Sequence, residues 1–324
     1  MGIRTTVYKI IPYKLLRRLE RKAKSEDRKS LIQKIRLERF VKRVDFSALN
    51  VQSMPVCTIN KGTWDYPLFH IGFLENMFAG IVYCLADGYV PQVKYKNSKG
   101  ELLWEQLLRQ PYSDCVLKKP TKECEEVFPS FHLPVFPTTK DVKIYGKLFK
   151  AFFTPNETAE QYFKNEEYLI KSKRVVGVLC RGTDYVANKP KWHPVQPKVE
   201  DVINEVKIKM AEYNCEYVYL ATDEEKIKAQ FDQAFPDKVI TNKRKYYDEF
   251  YKLKESGKED TRISWVHFDR ENDNYYKSRE YISSLNILSK CNLLIAGNCG
   301  GSRAAIYLND NKYEYVKLFN LGVY

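Results

Sequence analysis

The order of apolar and polar residues in the C-terminal half of the chain predicts a parallel α/β unit. A continuous apolar run at residues 174–180 (RVVGVLC) has the composition of a strand buried on both faces. Apolar residues then recur at helical spacing from Val199 to Met210, and residues 216–221 (EYVYLA) predict a second strand. A strand, a helix and a strand in this order predict two parallel strands joined by a right-handed crossover.

The same alternation continues towards the C-terminus and predicts a larger sheet. The further predicted elements are a helix from Glu224, a strand at 238–241, a helix over 278–290 and a strand at 292–296. The last strand leads into a glycine-containing turn, and a helix is predicted to begin at Ser302. These elements predict a Rossmann-like domain over residues 166–324. The charged, tyrosine-rich segment 242–277 has no predicted element.

The middle of the chain predicts a second α/β domain, over residues 51–165. Its predicted elements are strands at 55–60 and 90–95, a buried helix over 73–87 that ends at Gly88, and a helix over 100–111 that ends at Pro111. Residues 120–137 are rich in proline and are predicted to be irregular, and helices are predicted across residues 140–170.

The first 50 residues predict basic amphipathic helices. Residues 1–45 hold 15 Lys and Arg against 5 Asp and Glu, which accounts for +10 of the net charge of +13. Apolar residues recur at helical spacing in 15–19 and 31–35, with a break near Ser25. Such helices bind anionic lipid through Lys and Arg, with the apolar face in the headgroup layer. The alternative is a helix pair that packs on the body of the protein and keeps its charges in solvent.

Length, cysteine usage and charge distribution narrow the class of protein. A chain of 324 residues exceeds the size at which single cores stop growing, which favours two domains. The eight cysteines are scattered without a CxxC pair, which indicates reduced thiols rather than disulfides or a zinc site. No signal peptide is recognisable, so we expect a cytoplasmic protein. Beyond residue 45 the net charge is only +3, and we expect no nucleic-acid partner.

Three polar clusters follow strands that are predicted to lie in the C-terminal sheet. They are Arg181-Gly182-Thr183-Asp184, Thr222-Asp223 and Gly300-Gly301-Ser302-Arg303. Each has a structural explanation, namely a local ion pair, a helix N-cap or a tight turn. Because ligands of open parallel sheets bind at the carboxyl ends of the strands, the three clusters together predict a binding crevice. Glycines before a helix and an arginine suit a phosphate, but the spacing is neither a dinucleotide-binding nor a Walker motif.

Two stretches resemble the donor-binding domain of the α-1,6-fucosyltransferases, the family that includes the rhizobial Nod-factor enzyme and the enzyme that fucosylates the N-glycan core. They are residues 175–197 (VVGVLCRGTDYVANKPKWHPVQP) and 217–225 (YVYLATDEE). The matching positions are Arg181, Thr183, Asp184, His193-Pro194 and Ala221-Thr222-Asp223. Residues 288–305 and 72–91 resemble other segments of the family more loosely.

The resemblance implies a GT-B-like fold and an inverting glycosyltransferase that uses GDP-fucose and needs no metal. It assigns to Arg181 the neutralisation of the donor diphosphate. The chain departs from the family pattern at three positions, because a second arginine is replaced by Gly182, a histidine by Leu179 and a proposed acidic base by Lys189. A lysine is protonated near neutral pH, so Asp184 is the nearest alternative base, or else a structural partner of Arg181.

The sequence therefore predicts direct displacement at C1 of a nucleotide-activated sugar. The predicted catalytic residues are Arg181 and Asp184, and the predicted donor-binding residues are Arg181, Thr183, His193, Asp223, Gly300, Gly301, Ser302 and Arg303. The donor is predicted to be a GDP-sugar, without a cofactor or a metal ion. The predicted acceptor is a glycan or lipid-linked oligosaccharide of bacterial surface-polysaccharide assembly, bound on the side of residues 51–165, with residues 1–45 on the inner face of the cytoplasmic membrane.

Two other functions stay open at this stage. The first is a glycosyltransferase that uses another nucleotide sugar, which the departures at Gly182 and Lys189 permit. The second is a non-catalytic module that binds a glycan or a nucleotide at the membrane.

Overall fold

Two parallel sheets organise the chain, one in each half. The computed structural model describes residues 12–44, 49–63, 65, 71–110, 112, 120–125, 134–257 and 261–324. Within these residues one sheet has the strand order β2-β1-β3 and the other the order β6-β5-β4-β7-β8, and every strand pair is parallel. This arrangement confirms the predicted α/β fold, with a Rossmann-like parallel sheet in the C-terminal half.

The C-terminal sheet has the strand order of a doubly wound, Rossmann-like fold. Its strands are β4 (Val175–Cys180), β5 (Tyr217–Thr222), β6 (Val239–Ile240), β7 (Leu293–Gly297) and β8 (Tyr315–Phe319). Counted from β4, their spatial order is 3-2-1-4-5. The chain adds β5 and β6 on one side of β4 and then β7 and β8 on the other side, so the strand order reverses between β4 and β7. Residues of β4 and β7 are buried throughout, as their continuous apolar sequences predict. β8 was not predicted from the sequence.

Helices cover both faces of this sheet. They are α6 (Thr183–Asn188), α7 (Val199–Glu212), α8 (Glu225–Ala234), α9 (Glu249–Glu255), α10 (Asp273–Leu288) and α11 (Gly300–Asn309). The apolar residues Val202, Val206 and Met210 of α7 are buried, as their helical spacing predicts. The prediction for the last helix was two residues late, because α11 begins at Gly300 and not at Ser302.

The N-terminal sheet is smaller. It consists of β1 (Val56–Thr63), β2 (Val90–Lys96) and β3 (Pro120–Glu125), and helix α3 (Ile71–Ala86) connects the first two strands. Gly88 follows α3 with φ of +82°, a conformation that glycine adopts without steric cost. Helices α4 (Thr139–Phe152) and α5 (Glu157–Glu167) confirm the helices predicted across residues 140–170. The boundaries at residues 50 and 165 stay predictions.

Two predictions in this half were wrong. Residues 100–111 contain only the short 3₁₀ turn Trp104–Gln106 within their described part, and not a long helix. The side chains of Leu103, Trp104 and Leu107 are buried, although these residues do not form a long helix. The indole N–H of Trp104 donates to the carbonyl of Arg109. The segment 120–137, predicted to be irregular, begins with β3, because parallel pairing with β1 satisfies its backbone.

The N-terminal helices form a hairpin that packs on the body. They are α1 (Tyr13–Arg21) and α2 (Glu26–Arg43), and the Ser25 side chain caps the second by accepting from the N–H of Arg28. Their inner residues Leu16, Ile32 and Ile35 are buried. These three side chains pack between the two helices, and Leu37 and Val41 of α2 belong to the main core, so part of the hairpin packs on the body. Contact of residues 1–45 with a membrane stays a prediction.

The two halves share one apolar core. Phe149 of α4 lies 5.6 Å from the ring of Phe78 in α3 and 6.0 Å from the ring of Tyr307 in α11. These contacts tie the N-terminal sheet and the C-terminal sheet through stacked helices. None of the helices in the described ranges is long and apolar enough to cross a membrane.

Candidate active site

A cavity of about 660 Å³ lies at the carboxyl edge of the C-terminal sheet. Arg181 follows β4, Asp223 follows β5 and Cys299 follows β7, and all three line the cavity. The strand order reverses between β4 and β7, which is the point where open parallel sheets bind ligands. The cavity therefore lies where the strand order, independently of any motif, predicts a ligand.

Two carboxylates hold the guanidinium of Arg181. Its Nη2 donates to Oδ1 of Asp184 over 2.7 Å, and its Nε lies 3.2 Å from Oδ2 of Asp223. Burial acts to lower the pKa of Arg181, but Asp223 and Asp184 raise it above its ordinary value. The Tyr185 ring lies under the guanidinium at 4.5 Å, a cation–π contact. Arg181 is therefore a fixed, permanently charged cation on the cavity wall.

The turn after β4 is held by the first residues after β5. The N–H of Gly182 donates to Oδ1 of Asp223 over 2.8 Å, and the Thr183 hydroxyl donates to Oδ2 of the same carboxylate over 2.7 Å. The N–H of Thr183 donates to Glu224. Thr183 has φ of +38°, which is uncommon for a β-branched residue and is maintained here by these bonds. Asp223 thus fixes the direction in which the chain leaves β4.

The turn after β7 places a further cation on the wall of the same cavity. Cys299 caps α11, and the Ser302 hydroxyl accepts from the N–H of Cys299 over 3.0 Å. Arg303, one position later, donates from Nη1 to Oδ1 of Asn298 over 3.1 Å and lines the cavity. The positive end of the α11 dipole adds to the potential at this point.

Three further cations of the cavity wall were not singled out from the sequence. They are Arg244, Arg262 and Lys277, and all lie in or next to the unassigned segment 242–277. Lys277 is almost fully buried, and its ammonium pairs with Asp273 at 2.7 Å and donates to the carbonyl of Val266. Burial lowers the pKa of Lys277, although Asp273 acts to raise it.

Two sequence signals could have located part of this group. Arg244 lies shortly after β6, so the rule about strand ends that selected Arg181 also applies to it. Lys277, Tyr281 and Ser284 follow each other at spacings of four and three residues on α10 and line the same cavity. Arg262 has no such signal, because it lies in an irregular stretch.

The structure brings most of the predicted site residues to the cavity wall. Those that line it are Arg181, Asp184, His193, Asp223, Gly301 and Arg303. Thr183, Gly300 and Ser302 are buried behind the wall, where the hydroxyls of Thr183 and Ser302 bond to Asp223 and to the Cys299 turn. These three residues therefore shape the turns after β4 and β7 and do not face the cavity.

The positions that depart from the family pattern have distinct surroundings. Lys189 is exposed, has φ of +46° and ends α6, whereas its neighbours Asn188 and Pro190 line the cavity. Leu179 is a buried wall residue of β4. Asp184 is therefore the carboxylate on α6 that faces the cavity.

The site offers side chains for an anion. Among the residues that the structure describes, no group of three or more His, Cys, Asp or Glu is placed to hold a metal ion. The charged wall residues in the same part of the chain are five cations, namely Arg181, Arg244, Arg262, Lys277 and Arg303, and two carboxylates, namely Asp184 and Asp223. This balance suits a ligand with two or three negative charges.

No protein-family model and no curated protein matches the chain. Solved structures that resemble it include NodZ α-1,6-fucosyltransferase soaked with GDP-fucose, with a TM-score of 0.43, 11% identity and coverage of 82% of this chain and 96% of that chain. The structure of POFUT1 in complex with GDP gives a TM-score of 0.38 and 12% identity, covering 87% of this chain and 78% of that chain. NodZ from Bradyrhizobium gives a TM-score of 0.39 and 12% identity, covering 78% and 93%. At such low sequence identities the functional residues of these structures cannot be assigned to positions of this chain. The chemistry of the site therefore follows from this chain's own side chains.

Proposed function

We propose that the protein is a glycosyltransferase that transfers a sugar from a nucleoside diphosphate to a hydroxyl group. The observation that carries this proposal is the position of Arg181 and four other cations around one cavity at the strand-reversal point of a Rossmann-like sheet. Such a cavity binds a diphosphate, and a diphosphate is the leaving group of nucleotide-sugar transfer. A non-catalytic nucleotide-binding module would share the cavity but would not turn over.

The proposed reaction is a direct displacement at C1 of the donor sugar. As the bond between C1 and the diphosphate oxygen breaks, negative charge develops on the diphosphate. Arg181 and Arg303 lie where they can stabilise it, and fixed cations in a buried site stabilise such charge without reorganisation. Displacement from the opposite face inverts the anomeric centre.

Asp184 is the proposed acceptor of the proton from the attacking hydroxyl. Of the two wall carboxylates, Asp223 uses Oδ1 for the N–H of Gly182 and Oδ2 for the Thr183 hydroxyl. The contacts of Asp184 in the described part of the chain involve Oδ1 and Arg181. Its Oδ2 is therefore the better placed carboxylate oxygen for general-base catalysis.

The proposed donor is GDP-fucose, because residues 175–197 and 217–225 carry the motifs that resemble α-1,6-fucosyltransferases. We propose that the reaction needs no metal ion and that the acceptor is a glycan or lipid-linked oligosaccharide of bacterial surface-polysaccharide assembly. The cationic wall supplies the charge that a divalent cation supplies in metal-dependent transferases.

Thermal unfolding in the presence of GDP, UDP, CMP, dTDP and ADP tests the proposal directly. At a concentration about 100 times its Kd, a bound nucleotide stabilises the folded state by about 2.7 kcal/mol. We expect GDP to raise Tm most and EDTA to leave both the shift and the turnover unchanged. Preferential stabilisation by UDP would assign another donor, and no shift with any of the nucleotides would overturn the proposal.

We propose a cytoplasmic location, with contact to the inner membrane surface through charge alone. The helix hairpin exposes ten basic side chains, namely Lys14, Arg18, Arg21, Lys22, Lys24, Arg28, Lys29, Lys34, Lys42 and Arg43. Each adds about 1 kcal/mol near an anionic surface. Because Leu16, Ile32 and Ile35 of the hairpin are buried, we expect charge to dominate the binding, so binding to anionic vesicles should weaken steeply as the Debye length falls from about 10 Å at 0.1 M salt to about 3 Å at 1 M. Full-length protein that ignores such vesicles at low salt would overturn this proposal.

A further inference from the structure

Three large apolar side chains are exposed at the cavity edge, together with Arg262 and His193, whereas Arg181 and Asp223 are shielded. Side chains of the interior are well shielded, with 13% of Arg181 and 6% of Asp223 exposed. At the same cavity Trp192 is 74%, Val323 55% and Val135 51% exposed. For these five side chains the order is the reverse of a normal protein surface, on which charges are exposed and large apolar side chains are covered.

Trp192 has the greatest exposure among the large hydrophobic residues that the structure describes as exposed. Its backbone has φ of +68°, which is a genuine outlier for a bulky residue. Two backbone hydrogen bonds with Tyr324 maintain this conformation. The N–H of Trp192 donates to the carbonyl of Tyr324 over 3.2 Å, and the N–H of Tyr324 donates to the backbone carbonyl of His193 over 3.0 Å. The fold thus presents an indole to solvent at the cavity edge instead of burying it.

From this arrangement the geometry points to Trp192 as a stacking platform for a pyranose ring of the acceptor saccharide, an inference that rests on the proposed transferase function. One face of a pyranose carries C–H groups with partial positive charge, and the face of an indole carries negative quadrupole potential. The Lys191 ammonium, 5.2 Å from the indole centroid, already uses the same attraction.

The position of the indole favours an acceptor sugar over a nucleobase. A base bound at a side chain with 74% exposure would keep most of its polar edge in water, where no fixed donors or acceptors read it. An acceptor glycan arrives from solvent and needs only one ring face covered. Under the proposed function the diphosphate binds the cations of the cavity wall, and the acceptor hydroxyl must reach C1 from the solvent side.

Val323 and Val135 extend this platform into a short apolar rim. Val323 pairs with Pro194 in an isolated antiparallel bridge, and the carbonyl of Val135 accepts from the side chain of Asn298 over 3.1 Å. Val323 is therefore tied to the segment between α6 and α7, and Val135 is tied to the turn after β7 that precedes Arg303. A saccharide on the rim is held in register with the donor.

The experiment compares wild type with Trp192→Ala, Trp192→Phe and Tyr168→Ala. Tyr168 is an exposed aromatic residue outside the cavity, with 63% of its surface accessible, and serves as the matched control. The probes are methyl glycosides of glucose, galactose, mannose and N-acetylglucosamine and their β-linked tetrasaccharides. Saturation-transfer NMR in the presence of GDP measures the binding of each saccharide, for which we expect a Kd of about 1 mM. The affinity of each variant for GDP is measured in parallel.

We expect at least one saccharide to bind, Trp192→Ala to weaken it at least about tenfold, and Trp192→Phe and Tyr168→Ala to retain it, all with the GDP Kd unchanged. Unchanged saccharide binding in Trp192→Ala, or no binding of any probe to wild type, would overturn the inference. A loss of GDP affinity in Trp192→Ala would also overturn it, since the indole would then hold the nucleobase. Failure of wild type to bind any nucleotide would instead refute the transferase function.

Discussion

A Cβ atom on Gly182 would overlap Oε1 of Glu224. Glu224 is buried, and its carboxylate accepts from the Tyr251 hydroxyl over 2.5 Å and from the N–H of Thr183. A side chain at position 182 would therefore require the Glu224 carboxylate to move. The buried Glu224 carboxylate thus occupies the space that a side chain at position 182 would need.

The first prediction concerns this contact. Gly182→Ala should lower the free energy of unfolding by about 1–3 kcal/mol, because the Glu224 carboxylate must leave its hydrogen bonds. Glu224→Ala also destabilises, since it leaves the N–H of Thr183 without its acceptor. In the double variant the overlap is absent, so the two losses should be less than additive by at least about 0.5 kcal/mol. Chemical denaturation of all four proteins measures the coupling, and strict additivity would show that the space is not shared.

The second prediction concerns Arg181. Arg181→Ala should lower turnover by about 10²–10³, the typical effect of removing one charge-stabilising donor. Arg181→Lys should recover only part of the activity, because an ammonium cannot reproduce the planar fork of the guanidinium. Arg174→Ala is the control, since Arg174 is an exposed arginine that pairs with Glu314 over 2.8 Å away from the cavity wall. Full activity of Arg181→Ala would mean that other cations hold the diphosphate.

The third prediction tests Asp184 as the base. Asp184→Asn keeps the shape of the side chain but cannot accept a proton, so turnover should fall by about 10²–10⁴. The GDP Kd should change little, because Arg181 keeps its second partner Asp223 at 3.2 Å. Steady-state kinetics and nucleotide titration on the same preparation separate the two effects. If turnover persists and only the GDP Kd rises, Asp184 serves to hold Arg181.

The fourth prediction is a pH dependence of stability. Asp273 contacts Lys277 at 2.7 Å and Arg270 at 2.8 Å, and burial, which acts to raise its pKa, is outweighed by these partners and the N–H of Phe268. The folded pKa is therefore below the ordinary value of 3.8. A depressed carboxyl pKa stabilises the folded state above the unfolded value, and this contribution is lost as the pH falls through the folded value.

Asp273→Asn checks that sign. At pH 7 the variant should unfold at a lower temperature than wild type, and the difference between the two should shrink as the pH falls below about 3.8. The comparison removes the effect of all other carboxylates, which titrate in both proteins. A difference that is constant from pH 7 to pH 2 would exclude an ionic contribution of Asp273.

The fifth prediction concerns the N-terminal hairpin. Arg36 is 1% exposed, and its guanidinium pairs with Glu20 at 2.6 Å and with Asp87 at 2.8 Å. Arg36→Ala leaves two shielded carboxylates without this cation and should destabilise the protein by about 3–5 kcal/mol. The exposed Arg18→Ala should change stability by less than about 0.5 kcal/mol. Equal effects of the two variants in denaturant titrations would show that the hairpin is not docked through Arg36.

Much of the C-terminal fold could be predicted from the sequence, because buried parallel strands are short and continuously apolar. Val175–Cys180 and Leu293–Gly297 are both of this kind, and the polar residues that follow them had to lie at one sheet edge. The sequence pattern of residues 100–111 predicts a long helix, whereas the structure has the 3₁₀ turn Trp104–Gln106 there. Their apolar spacing fits a helix, but Leu103 and Trp104 are buried from a loop that packs against Phe153 and its neighbours.

The sequence by itself determined the α/β class, the strand ends and the cluster around Arg181, since local periodicity and turn residues report which segments are buried and where they stop. Only the tertiary structure decided that Arg244, Arg262 and Lys277 share one cavity with Arg181. It also decided that Leu16, Ile32 and Ile35 of the basic helices pack against each other and that Glu224 fills the space beside Gly182. These are contacts between residues far apart in the chain, and periodicity shows that a side chain is buried without showing which partner covers it.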